Sequence, residues 1–137
     1  MKRFNFSLQK ILQVRKYREE ECKIELGRAI GVLTEIENKI MTVASSRRLA
    51  ALERFSATDD MLAWDNYILR LDQECERLTV DAAKAQLVVE EKRKIYLEAS
   101  QQLKAMEKLK EKKEKEYRKE VFAAETLELD LLPYRKI

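Results

Sequence analysis

The chain has 137 residues, 39% of them charged, with only two glycines and one proline. That length sets one domain as the expectation, and this composition belongs to long helices, excluding a sheet protein and any membrane span of ~20 apolar residues. Twenty-eight basic against 25 acidic residues leave a net +3, too even for the one-sided basic face of a nucleic-acid binder.

The opening Met1-Lys2-Arg3-Phe4-Asn5-Phe6 lacks the apolar core of a secretory signal, so a soluble, cytosolic protein is expected. Ser7 is placed to cap a first helix over about residues 7–55, with Phe6 stapled on Ile11. Apolar residues then recur in steps of four and three: Leu8, Leu12, Cys22, Leu26, Ala29, Leu33, Ile36, Ile40 and Val43. Arg15 and Glu19 fall on the same seam, where polar residues either set register or face a third chain. Gly27 and Gly31 each weaken the helix by about 1 kcal/mol relative to alanine, which points to a close backbone approach or a bend. Past Val43 the rhythm slips: Arg47 lands on the seam while Leu49, Leu52 and Phe55 form a stripe out of phase. A short extra helix near residues 47–57 is one outcome of that slip, a plain reversal the other.

Ser56-Ala57-Thr58-Asp59-Asp60 offers a capping hydroxyl and an acidic first turn for a second helix over about residues 59–129. Its seam runs Trp64, Ile68, Leu71, Cys75, Leu78, Ala82, Ala85, Val89, Tyr96, Ala99, Leu103 and Met106, interrupted by Lys92. This 3.5-residue period is that of a left-handed coiled coil. Two helices on a short connection pack antiparallel. With the turn centred near residue 57, residue i faces about 114 − i, so Leu8 meets Met106, Leu12 meets Leu103 and Leu33 meets Ala82. The charged run Glu107–Glu120 then starts where the first helix ends, as an overhang of about 20 residues that leaves Leu109, Tyr117, Val121 and Phe122 exposed. Cys75 faces the neighbourhood of Lys39, roughly 25 Å along the rod from Cys22, so both thiols stay free, as in a reducing compartment. Pro133 stops the helix, and 130–137 form a tail whose leucines are available to a partner.

Chemistry is sparse. There is no histidine, no CxxC and no glycine-rich phosphate loop, and the carboxylates alternate with Lys and Arg on helix surfaces. No enzyme, cofactor or metal site is expected, so function falls to surfaces. Tyr67 near the turn and Phe4 and Phe6 at the open end are the aromatic candidates, and the open end gathers Lys2, Arg3, Lys10, Lys108, Lys110, Lys112 and Lys113.

Phe4-Asn5-Phe6-Ser7-Leu8 followed by Ile11-Leu12, Arg15 and Glu19 resembles the opening of the flagellar export protein FliJ family. Tyr67, Leu71, Glu90, Arg93, Ala99, Lys104 and the run Glu107-Lys108-Leu109-Lys110-Glu111 resemble its second helix, so the likeness spans about residues 4–120. Glu74 departs from it, a polar residue where a small one is expected. The resemblance implies an all-α fold, an antiparallel two-helix coiled-coil hairpin similar to the gamma-subunit stalk of rotary ATPases. It implies a non-enzymatic component of the flagellar type III export apparatus, serving motility, cytoplasmic and peripheral to the membrane at the flagellar base. The implied partners are the ring of the export ATPase FliI, whose assembly it promotes, the export gate protein FlhA, and export chaperones. Carried over by position, ring contact falls to Phe4, Phe6, Leu8, Arg15, Glu107, Lys108, Leu109, Lys110 and Glu111, and gate contact to Tyr67, Leu71 and Leu78.

Two other readings of the same residues stay open. One is a structural coiled coil that homodimerises through parallel arms. The other is a basic helix over residues 108–119 that binds nucleic acid or anionic lipid, against which the interleaved Glu111, Glu114 and Glu116 speak.

Overall fold

Helix formers, interrupted only by Gly27 and Gly31 and by no proline, carry the backbone through two helices in the computed structural model, which describes residues 3–56 and 59–131. Helix α1 spans Gln9–Ser56 and α2 spans Met61–Leu131, with no strand among the described residues. The fold is all-α, two long helices packed against each other as a helical hairpin. Ala57, Thr58, Pro133 and the last residues of the tail lie outside the described residues, as does Lys2.

Both helix starts differ from expectation. Before α1, the Phe6 carbonyl accepts the Gln9 N–H at 3.0 Å and the Leu8 carbonyl accepts the Leu12 N–H at 2.9 Å. Phe6 is not stapled on Ile11, which is exposed; its ring crosses to α2 and is only 7% exposed among Leu12, Leu103 and Met106. Leu103 and Met106 on the facing helix, with Leu12, bury more of the ring than one exposed isoleucine can. Before α2, Asp59 and Asp60 precede the helix instead of forming its first turn. Asp60 sits at φ 63° and its carbonyl accepts the Trp64 N–H at 3.1 Å, a left-handed residue of the type Asp tolerates.

The chain forms two compact units, Met1–Glu21 with Leu97–Ile137, and Cys22–Tyr96. In the first, Phe6, Leu12, Leu103 and Met106 form the buried cluster, with Phe4, Leu8 and Leu109 packed around it. Arg15 donates from Nη1 to the Gln102 carbonyl at 3.4 Å, across the helix pair. In the second unit Cys22, Ala50, Leu78, Ala85 and Val89 are buried. Lys92, the break in the α2 rhythm, reaches Glu25 at 3.3 Å. Cys22 is buried and Cys75 half-buried, both as free thiols.

Cross-helix pairs correct the register. Residue numbers add to 117 for Arg15 with Gln102 and for Glu25 with Lys92, and to 119 for Arg47 with Asp72 and Arg54 with Asp65. The sum of 114 assumed a turn centred at residue 57, whereas Asp59 and Asp60 belong to the connection. The slip past Val43 does not occur either. Helix α1 continues unbroken to Ser56, with Ser46 half-buried, Ala50 buried and Arg54 half-buried on the pairing face. Leu49, Leu52 and Phe55 point to solvent, Phe55 at 89% exposure. No close approach explains the glycines: a Cβ on Gly27 or Gly31 would meet nothing within 4 Å.

Candidate functional site

Among the described residues no three His, Cys, Asp or Glu side chains gather as a metal site, and no helix is long and apolar enough to cross a membrane. The clefts are open grooves along the helix pair, so the candidate sites are surfaces.

In the first unit the residues before α1 act as a strap over α2. The Phe4 ring lies 5.5 Å from the Tyr117 ring, tilted by 44°. A groove of about 530 Å³ runs beside them, bordered by Arg3, Leu109, Lys113, Glu116 and Glu120. The strap therefore covers the start of the overhang, and Leu109, Tyr117 and Val121 are half-buried, while Phe122 alone of the four is exposed as expected. Lys113 pairs with Glu116 at 3.7 Å, Lys115 with Glu111 at 3.5 Å and Arg118 with Glu114 at 3.6 Å, spacings that a helix surface brings together.

Of the ring-contact candidates, Phe4, Leu8, Arg15, Leu109 and Lys110 are half-buried, and Glu107, Lys108 and Glu111 are exposed. Phe6 is the correction: its side chain serves the core of this unit and is not available to a partner. The apolar members thus hold together a platform on which the charged members stand.

In the second unit Tyr67 packs edge-on to Trp64, 6.1 Å between centroids, with the Arg70 guanidinium 6.0 Å over its ring. Leu71 is half-buried, and Leu78, at 4% exposure, is interior, so of the three gate-contact candidates only Tyr67 offers substantial surface. Trp64 and Tyr67 line a groove of about 530 Å³ with Leu49, Ala50 and Ala63. Leu49, one of the stripe out of phase with the seam, is exposed beside this aromatic pair, and that stripe is its only signal in the sequence.

Charge pairs fasten this unit. Arg47 Nε donates to Asp72 at 2.7 Å and Arg54 Nε to Asp65 at 2.9 Å, and the hydrogen bond from each, then the carboxylate's charge, raises each guanidinium above its usual value. Glu74 is held by Arg77, whose hydrogen bonds lower the Glu74 carboxyl below its ordinary range.

Two long helices with an antiparallel seam, half-covered aromatic grooves and alternating surface charge define the class: an all-α helical hairpin. The chain belongs to the flagellar FliJ protein family, whose model matches residues 4–132, nearly its whole length. That family makes it a component of the flagellar protein export apparatus, and its members are non-enzymatic. Comparison with curated proteins and with solved structures gave no match.

Proposed function

We propose that this protein is a stalk-like coiled coil of the export apparatus that binds the ring of the export ATPase FliI and promotes its assembly. On this reading it also links the ring to the export gate protein FlhA and assists export chaperones, working in the cytoplasm at the inner face of the membrane. The observation that carries the ring contact is the first unit's platform, in which Phe4, Leu8 and Leu109 pack on the buried cluster beside exposed Glu107, Lys108 and Glu111. A ring loop meeting such a surface finds mixed charge that suits orientation and on-rate more than affinity. Gate contact is assigned to Tyr67 with Leu71 at the edge of the aromatic groove, and Leu78 supports them from beneath.

The test is a pull-down against the export ATPase with an ATPase assay. Lys108→Ala with Lys110→Ala is expected to weaken ring binding and stimulation without loss of helicity, since neither residue is buried. Unchanged stimulation removes the ring assignment. Tyr67→Ala with Leu71→Ala that leaves gate binding intact removes the other. A dimer of extended helices by sedimentation would instead favour the homodimerising coiled coil.

A further inference from the structure

The seam of α2 does not stop where its cover does. Helix α1 begins at Gln9, and the strap continues the cover only to the neighbourhood of Tyr117 and Glu120. Beyond that, Ala124, Leu127 and Leu131 keep the steps of three and four from Tyr117 and Glu120, in a helix that runs to Leu131. Leu127 is 62% and Leu131 59% exposed, and no described residue of this unit is packed over them. A helix with an apolar stripe and no cover is stabilised by tertiary contact more than by its own propensity.

Charge says what kind of cover fits. Between Lys108 and Lys119 seven side chains are basic and three acidic; from Glu120 to Leu131 four are acidic and none is basic. A second copy laid antiparallel over the last turns would set Glu125, Glu128 and Asp130 against themselves, which disfavours self-pairing. The chain already shows what the adjoining turns accept, because Arg3 and Phe4 of the strap border the groove that Glu116, Tyr117 and Glu120 form. A cation beside an apolar side chain is the pattern that this stripe takes.

We propose that the last turns of α2, from Val121 to Leu131, are a docking surface for a basic amphipathic helix of a partner protein, laid along the seam in line with the strap. Leu127 and Leu131 enter its apolar face, and Glu125, Glu128 and Asp130 pair with lysines or arginines on its flanks. Helical form is required because the exposed leucines are spaced for side chains of a facing helix. None of these residues belongs to the ring or gate contacts assigned above, so the surface stands or falls independently of them.

The probe is a dye-labelled synthetic peptide of about three heptads with leucine on its seam and lysine on its flanks. The control is the same peptide with glutamate for lysine, and both are titrated with the full chain by fluorescence anisotropy. The lysine peptide is expected to bind the natural sequence and to weaken as salt rises. Leu127→Lys and Leu131→Lys should each weaken it about tenfold, the loss of one buried leucine contact. Glu125→Lys with Glu128→Lys and Asp130→Lys should reverse the preference to the glutamate peptide. Glu35→Lys with Glu37→Lys, on α1, should change nothing, and circular dichroism should show equal helicity in every variant. The proposal is overturned if the lysine peptide does not bind, if both peptides bind alike, or if the α2 substitutions leave binding unchanged.

Discussion

Replacing Gly27 and Gly31 with alanine is expected to stabilise the second unit by about 2 kcal/mol. Both glycines sit in the interior of α1, neither has positive φ, and a Cβ on either would meet nothing within 4 Å. No native contact is lost and no steric cost arises, so the change acts through backbone freedom: glycine gives up more conformational entropy on entering a helix than alanine does. Each site is then worth about 1 kcal/mol, and although the two stand one turn apart, each gain is a local backbone one, so the sum is about 2 kcal/mol. Urea unfolding followed by circular dichroism reads this directly. With a slope of about 2 kcal/mol per molar, the double variant should shift the midpoint upward by roughly 1 M. A midpoint that stays or falls would refute the reasoning, and would mean that another backbone approaches this face of α1 in solution.

Leu103→Ala should cost about 2–4 kcal/mol, because Leu103 is buried with Phe6, Leu12 and Met106, whereas Leu52→Ala, at an exposed position, should stay within about 0.5 kcal/mol in the same unfolding assay. Asp60→Val should destabilise by about 1–2 kcal/mol and Asp60→Asn much less, measured by thermal unfolding, since φ 63° suits Asp and Asn but not a β-branched residue. The Glu74 carboxyl, lowered chiefly by its hydrogen bonds from Arg77, contributes stability that is present above the ordinary carboxylate pKa and lost as pH falls through the lowered value. Carboxyl titration by NMR should therefore show Glu74 protonating at higher pH in Arg77→Gln than in the natural sequence. Tyr17 is shifted the other way, raised by its hydrogen bond to Glu21 and then by that residue's charge. Ultraviolet titration of Glu21→Gln should show a phenol that ionises at lower pH than the natural one, and an unchanged curve would remove the contact.

The seam of α2 was legible because it is a local, repeated signal: each residue from Trp64 to Met106 named on it is buried or half-buried. Its single break, Lys92, found its reason only across the helix pair, in Glu25. At the end of α1 hydrophobicity alone points to the wrong face. Leu49, Leu52 and Phe55 are the more apolar residues, yet small Ala50 takes the buried position and shares a groove with Trp64 and Tyr67 of α2. Packing selects volume as well as polarity. The platform of the first unit was visible as a set of residues but not as a structure, since the crossing of Phe6 to Leu103 and Met106 joins positions about a hundred apart in the chain.

Helix and period follow from spacing along the chain, because each depends on which residue types stand three or four apart. Register, the strap and the exposure of the last leucines depend on which residues meet across the pair. That is decided by volumes and charges on both helices at once, so only the folded chain assigns Phe4 to Tyr117 and leaves Leu127 and Leu131 exposed.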